Sequence, residues 1–188
     1  AGADSGYYGC QIKGGDRALV ASSGHQLYAE CLVEGDNDIV AGDQTRAWFQ
    51  KSHVALRNVP RGYVTANARR SPDDPSIFVF SDCTVGSAPG ATIKPGAYYL
   101  GRPKGEYAQV VFQKTNLSDA INPKGWDIWD QGDTRTQHVL FGECRNRGPG
   151  AEGTRATFSR RLDEPVSIAS ILGNGHGQAG YYDPLFVP

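Results

Sequence analysis

The sequence predicts an all-β fold, a solenoid of the parallel β-helix type. Three observations predict it: short apolar segments rich in β-branched and aromatic residues, turn residues between them, and a motif that recurs along the chain. The 188 residues include 24 glycines and 11 prolines and no methionine, a composition typical of turn-rich β proteins. This length suits a single domain spanning residues 1–188.

The recurring motif is an aromatic residue followed three positions later by a small residue. A related first copy contains Tyr8 and Cys10, and in the later copies the small residue is Cys31, Ser52, Cys83, Thr115 and Cys144. The intervals of 21, 31, 32 and 29 residues indicate units that bury their apolar faces only against their neighbours. Unequal intervals predict loops of unequal length on a constant core, and such loops commonly form binding clefts.

The small-residue column also bears on the cysteines. Equivalent positions in successive coils lie about 4.8 Å apart, a Cα separation that a disulfide tolerates. Cys10 and Cys31 fall in consecutive coils, so they either form a disulfide or remain buried free thiols. The coil of Thr115 separates Cys83 from Cys144, so no bond between those two is predicted.

The motif is lost after about Gly150. The remaining stretch, 150–188, is predicted to be a tail packed along the side of the solenoid, where it covers an edge. One short helix is expected within it, near 165–172.

Charge and spacing exclude several classes of partner. The formal net charge is −1 and no basic block is present, which argues against nucleic acid and anionic membranes. No apolar stretch approaches the roughly 20 residues that span a bilayer. Neither the cysteines nor the histidines show ligand spacing, so no metal and no cofactor are predicted. The N-terminus lacks a signal pattern, so the chain is expected to be cytosolic or to have lost a leader.

Three segments resemble the pectinesterase (pectin methylesterase) family. Glu34 to Gly42, with Asp38 at its centre, resembles the family's G-x-V-D-F-I-F-G. Tyr99-Leu-Gly-Arg102-Pro103 resembles Y-L-G-R-P-W without the last residue. Residues 116–126 and 142–151 resemble L-S-D-x-I-x-P-x-G-W and G-E-Y-x-N-x-G-P-G-A. The resemblance covers nearly the whole chain and implies a right-handed parallel β-helix, secreted to the cell wall, that acts on the homogalacturonan of pectin. Asn116-Leu-Ser, a glycosylation sequon, also favours secretion.

The resemblance implies a mechanism with two aspartates. One carboxylate attacks the methyl ester, and the other protonates the departing methanol and later activates water. Asp38 matches the nucleophile and Arg102 matches the arginine that orients it. In the family, glutamine amides donate hydrogen bonds to the oxyanion.

The second aspartate is replaced. The family's G-Y-Q-D-T-L aligns without a gap to residues 14–19, which places Arg17 at the general acid and Asp16 at an oxyanion glutamine. A guanidinium with a pKa above about 12 cannot deliver a proton to methoxide. Beside Asp38 it is expected to lower the pKa of that carboxyl, and Asp16 is expected to repel the oxyanion. In the alternative, a one-residue bulge near Gly15 moves Asp16 into the acid position and turns Arg17 away.

The substrate-binding positions are also changed. Lys104 stands where the family has a tryptophan, and Ala41 stands where it has a phenylalanine. Trp126 is retained, either as a face on which a sugar stacks or as a core residue. Gln44 is the remaining residue assigned to substrate binding.

Three functions follow as hypotheses. The leading one is a pectinesterase-like protein that binds pectin with little or no esterase activity. An active esterase working through Asp38 and Asp16 is the second, and an interaction or structural solenoid that binds no sugar is the third. The family has further coils before the position of Ala1, so another chain, self-association or a separate N-terminal portion is expected to cover that end.

Overall fold

The computed structural model describes residues 2–187. It shows a stack of coils whose strands pair in parallel. The strands form three parallel sheets of seven, five and four strands, and successive members of each sheet come from successive coils. The predicted parallel β-helix is therefore confirmed. No helix within residues 2–187 is long and apolar enough to cross a membrane.

The first four coils each contribute one strand to each of the three sheets, and the later coils contribute to fewer. The first sheet contains β1 (Ser5–Tyr8), β4 (Gly24–Ala29), β7 (Thr45–Gln50), β10 (Ile77–Ser81), β13 (Gln109–Gln113), β15 (Leu140–Cys144) and β16 (Ser159–Arg161). The second contains β2 (Gln11–Lys13), β5 (Leu32–Gly35), β8 (His53–Leu56), β11 (Thr84–Ser87) and β14 (Asn116–Leu117). The third contains β3 (Leu19–Val20), β6 (Val40–Gly42), β9 (Gly62–Asn67) and β12 (Tyr98–Gly101).

An aromatic ladder runs through the core along the first sheet. Tyr7, Tyr28, Phe49, Phe80 and Phe112 pair in register from coil to coil. Their ring centroids are 4.9, 4.6, 4.4 and 4.4 Å apart, with the planes within 8° of parallel. The predicted aromatic column is confirmed, with Tyr7 rather than Tyr8 as its first member.

The column of small residues satisfies backbone groups at the turn that follows the ladder. Ser52 accepts a hydrogen bond from the N–H of Cys31 at 3.1 Å, and Thr115 accepts one from the N–H of Cys83 at 3.3 Å. Each hydroxyl also lies within bonding distance of backbone carbonyls of its own and the preceding coil. These bonds explain why small hydroxyl and thiol residues recur at a position with no room for a larger side chain.

The last copy of the motif departs from this column. Cys144 pairs with Gln113, and Phe141 pairs with Val110, so the prediction that Cys144 continues the column of Thr115 is wrong. The reason is Trp126, whose ring lies between the rings of Phe112 and Phe141, 5.9 and 4.4 Å away. Because this indole takes the next place on the ladder, the following strand shifts by two residues.

All four cysteines are free thiols. Cys10 and Cys31 lie in consecutive coils as predicted, and the structure shows the free-thiol alternative for them. Burial raises the pKa of Cys31, and it raises the pKa of Cys83 to about 12. These thiols therefore act as small packing groups.

The predicted tail follows the side of the solenoid only in part, because β16 adds a last strand to the first sheet. It contains short 3₁₀ helices at Pro149–Ala151 and His176–Gln178, and the helix α1 at Ile168–Leu172 packs against β7. The side chain of Gln113 bonds both the N–H and the carbonyl of Val166, at 3.0 and 3.1 Å. Tyr8 faces outward from the first coil, and its hydroxyl bonds the backbone of Tyr181 and Asp183. The tail thus fastens several coils together.

In the first coil, the strands β1, β2 and β3 pair with the second coil, and residues 2–187 supply no strand on their other side. That another chain, a second copy or a separate segment covers this face stays a prediction.

The ladder is expected to dominate stability. Phe80→Ala should lower the free energy of unfolding by about 3–5 kcal/mol, because it removes a fully buried ring and leaves a cavity between two others. Urea denaturation measures the change. Leu185→Ala, at a side chain that is 90 % exposed, is the control and should change the free energy by less than about 0.5 kcal/mol. Similar losses for both variants would contradict a ladder-centred core.

Candidate active site

One column of residues just before the third sheet carries the charged groups of the site. Leu19 pairs with Val40, and Asp16 bridges Asn37, so Arg17 and Asp38 occupy equivalent places in consecutive coils. The register of β6 against β9 extends this column to Tyr63. Arg17 and Asp38 both have left-handed backbones, with φ of 50° and 44°, a conformation that non-glycine residues adopt rarely.

Asp38 and Arg102 form a two-pronged ion pair. The Nε and Nη2 atoms of Arg102 donate to Oδ1 and Oδ2 of Asp38 at 3.0 and 2.9 Å. Asp38 is 6 % exposed and lies in the turn between β5 and β6, while Arg102 follows β12. Burial opposes the charge of Arg102, but the hydrogen bonds and charge of Asp38 outweigh it, so the pKa of Arg102 lies above its usual value. The pair fixes the orientation of the carboxylate.

Two aromatic rings hold the guanidinium of Arg102. Its central carbon lies 4.1 Å from the ring centroid of Tyr63 and 4.2 Å from that of Trp129, so cation–π contacts with both rings stabilise it. The hydroxyl of Tyr63 donates to Asp127 at 2.9 Å, and Arg61 pairs with the same carboxylate. Burial, together with this bond, raises the pKa of Tyr63 to about 12, so the phenol remains a neutral donor.

The register around Arg17 contains no bulge. Lys13 pairs with Glu34, Asp16 with Asn37 and Leu19 with Val40, a constant offset that leaves no extra residue near Gly15. The N–H of Arg17 donates to the carbonyl of Asn37 at 2.9 Å. The alternative that a bulge moves Asp16 into the place of Arg17 is therefore wrong.

The side chain of Arg17 pairs with Asp16 instead of Asp38. Its Nε lies 3.3 Å from Oδ2 of Asp16, and the two side chains are 53 % and 52 % exposed. Among residues 2–187, no ion pair joins Arg17 to Asp38, whose carboxylate is held by Arg102. The expected direct contact between the Arg17 cation and the Asp38 carboxylate is thus not seen in the structure.

Trp126 lies in the core, the second of the two positions considered for it. It is 1 % exposed, and its indole N–H donates to Oε1 of Glu143 at 3.0 Å. That carboxylate is also held by Arg155 through two hydrogen bonds. No face of this ring is free for a sugar to stack on.

Trp129 provides the aromatic face at the site, and the sequence-based assignment missed it. It is half-buried and stacks over Arg102. The only signal in the sequence was a second tryptophan within a turn-rich stretch, flanked by Asp127 and Asp130, where a core position is not expected.

The predicted substrate residues Lys104 and Gln44 line two open cavities. Lys104 and Trp129 line a cavity of about 710 Å³. Gln44 is exposed and lines a second cavity of about 670 Å³, and Arg70 lines both. Ala41 is buried in β6 and offers no contact surface. The arrangement presents an oriented carboxylate beside a groove that carries one aromatic face and several cations.

Comparison with known proteins identifies the family. The family model described as Pectinesterase matches residues 1–161. A pectinesterase from Aspergillus aculeatus is 42 % identical over 172 residues, which are 91 % of this chain and 52 % of that protein. The chain thus spans about half the length of the curated relatives it matches.

Solved structures agree on the fold. The pectin methylesterase from Aspergillus niger in deglycosylated form superposes with a TM-score of 0.85 and 31 % identity, over 94 % of this chain and 56 % of that one. The pectin methylesterase from carrot gives a TM-score of 0.82 and 25 % identity, over 93 % and 58 %. The fold is the right-handed parallel β-helix that the resemblance implied, and the chain belongs to the pectinesterase family.

Proposed function

We propose that this chain binds the homogalacturonan of pectin across the face that carries Asp38 and Arg102, and that it hydrolyses the methyl esters slowly. The observation that carries the proposal is the register between the first two coils. It gives Arg17, a permanent cation, the position equivalent to that of Asp38 in the next coil. The relatives named pectinesterase support the substrate class.

The surface beside Asp38 suits a polyuronate. Trp129 offers a ring on which a sugar can stack. The adjoining cavity is lined by three cations (Arg70, Lys104 and Arg135) and by two carboxylates (Glu106 and Asp133), so its net charge is positive. A galacturonan with free acid groups is a polyanion, so these cations attract it.

The expected chemistry stalls at proton transfer. The Asp38 carboxylate attacks the ester carbonyl, and a tetrahedral oxyanion forms. This collapses to an anhydride with Asp38 as the bond to the methoxy group breaks, and water then cleaves the anhydride to return both carboxylates. Methoxide needs a proton as it departs, and Arg17 holds its proton too firmly to donate it. Asp16, exposed in the preceding position, adds a negative charge where the oxyanion needs a donor.

An active pectin methylesterase is the second candidate, and two observations favour it. The Asp38–Arg102 pair is intact, at 2.9 and 3.0 Å. The Asp16 carboxylate is half-exposed and accepts a hydrogen bond from Arg17, which places a carboxyl group at the residue next to the acid position. In this candidate Asp16 delivers the proton to methanol.

The proposal includes the compartment. Pectin is a polymer of the cell wall, so a protein that binds it acts outside the cell that makes it. Asn116 of β14, the first residue of the sequon, is exposed, which is compatible with glycosylation.

Restoring an acid at position 17 is expected to restore catalysis. Arg17→Asp should raise methanol release from highly methylated pectin by about a hundredfold, because a general acid contributes on that order or more. Adding Asp16→Gln should raise it further by supplying an oxyanion donor. The control is Asp38→Asn in the same background, which should remove the gain. If the unmodified chain releases methanol as fast as Arg17→Asp does, and Asp38→Asn abolishes that release, the result would support the active esterase instead.

Binding is expected to persist without catalysis. Isothermal titration of the 188-residue chain with galacturonate oligomers should give measurable heat, and Trp129→Ala should weaken binding by about tenfold through loss of a stacking face. Leu185→Ala, far from the charged column in sequence and exposed, should bind as the unmodified chain does. No heat at millimolar ligand would favour a solenoid that binds no sugar.

A further inference from the structure

Next to the Asp38–Arg102 pair lies a second group of polar side chains, around Asp127, that the ester chemistry does not use. Oδ2 of Asp127 accepts a hydrogen bond from the hydroxyl of Tyr63 at 2.9 Å and also pairs with Arg61. Oδ1 accepts the N–H of the following residue at 3.0 Å. The side chain of Asp127 is 13 % exposed, so a carboxylate largely removed from water has a partner for each of its oxygens.

The backbone fixes the place of Asp127 beside Arg102. Asp127 follows Trp126, which is buried in the aromatic ladder. Trp126 bridges Gly101 in parallel register, and the N–H of Asp127 donates to the carbonyl of Gly101 at 3.0 Å. Gly101 directly precedes Arg102 in the chain. The carboxylate of Asp127 and the guanidinium of Arg102 therefore extend from two backbone segments that are bonded to each other.

Tyr63 connects Asp127 to the Asp38–Arg102 pair. It is buried, and its carbonyl accepts the N–H of the residue after Asp38 at 3.1 Å, so it lies in the coil next to that of Asp38. Its ring stacks on that of Tyr99 with the centroids 5.6 Å apart, and the central carbon of the Arg102 guanidinium lies 4.1 Å from its own centroid. The hydroxyl is the one polar atom of this side chain, and a displacement of the ring would break its bond to an ionic acceptor. That bond therefore fixes the ring against which Arg102 packs.

Arg61 balances the charge of Asp127. The hydrogen bond to Asp127 raises the pKa of Arg61, and the guanidinium of Arg61 also lies 5.2 Å from the ring centroid of Tyr99. The side chain of Arg61 is 58 % exposed, so solvent weakens this ion pair and the bond from Tyr63 is the better shielded contact. Two neutral ion pairs, Arg61–Asp127 and Arg102–Asp38, thus lie on either side of the ring of Tyr63.

We infer that Tyr63 and Asp127 are positioning residues, which hold the guanidinium of Arg102 in the orientation that donates to both oxygens of Asp38. The inference rests on the proposed function, because it concerns the carboxylate assigned there to the ester. Trp129 contacts the same guanidinium, but no hydrogen bond within residues 2–187 fixes its indole. A guanidinium that turns out of this arrangement donates to one oxygen only, which leaves the carboxylate free to rotate. Loss of orientation slows attack on the ester without weakening binding of the polymer.

The first test observes the guanidinium of Arg102 by NMR and needs no turnover. In the unmodified chain its Nη protons should give separate signals, because two hydrogen bonds to one carboxylate slow the rotation of the guanidinium; Arg102→Lys, which removes these signals, assigns them. Tyr63→Phe keeps the ring and loses the hydroxyl, so it should speed the rotation and merge the signals. The matched control is Tyr182→Phe, whose hydroxyl donates to the carbonyl of Val187 at 2.7 Å in the tail, and there the signals should stay separate. Signals that stay separate in Tyr63→Phe would overturn the inference.

The second test measures methanol release in the Arg17→Asp background. Tyr63→Phe and Asp127→Ala should each lower kcat by about tenfold and change KM by less than about twofold. Asp127→Asn still accepts a hydrogen bond from the phenol, so it should recover most of the loss, and Tyr182→Phe should change neither constant. An equal loss of kcat in Tyr182→Phe, or a change in KM alone, would overturn the inference. If Arg17→Asp releases no more methanol than the unmodified chain, the proposed function fails, while the NMR signals still decide whether Tyr63 positions Arg102.

Discussion

The structure depends on a constant register between coils. Each coil can bury its apolar face only against the next, so the aromatic residues of the first sheet must lie directly over one another. Ring centroids 4.4 to 4.9 Å apart show how closely this is met. A slip of one residue would turn every ladder side chain outward. The same register therefore fixes which residues of neighbouring coils are adjacent at the site.

The charged column is a consequence of that register. Because the ladder allows no extra residue between the first and second coils, the place next to Asp38 must be taken by residue 17, whatever its chemistry. The surroundings of Asp38 are well defined. Arg102 donates hydrogen bonds to both of its carboxylate oxygens, and the rings of Tyr63 and Trp129 make cation–π contacts with the guanidinium. In the proposed account the site lacks an acid of suitable pKa, because a half-exposed arginine paired with Asp16 stands at position 17. The cavity beside it is lined by three cations and two carboxylates, and under the proposed function this surface recognises an acidic polymer.

The sequence predicted those features that repeat. Tyr28, Phe49, Phe80 and Phe112 were identifiable because the aromatic motif recurs along the chain. The place of Arg17 beside Asp38 was predicted from the family resemblance of residues 14–19. Prediction failed where a residue from outside the repeat enters the core. Trp126 inserts into the ladder from the long segment before β15, which displaced Cys144 from its expected column and left Trp129 to face the groove. The ion pair of Arg17 with Asp16 was also beyond prediction, because the side-chain conformations of exposed residues leave no pattern in a sequence.

The most direct measurement of the central claim varies the leaving group. If a missing proton donor limits hydrolysis, galacturonan esterified with trifluoroethanol should be cleaved much faster than the methyl ester by the unmodified chain, because that alcohol departs as an anion more readily. Arg17→Asp should reduce this difference, since it protonates either alcohol. Equal rates for both esters in the unmodified chain, with turnover that needs Asp38, would show that a proton is already being delivered and would contradict the account.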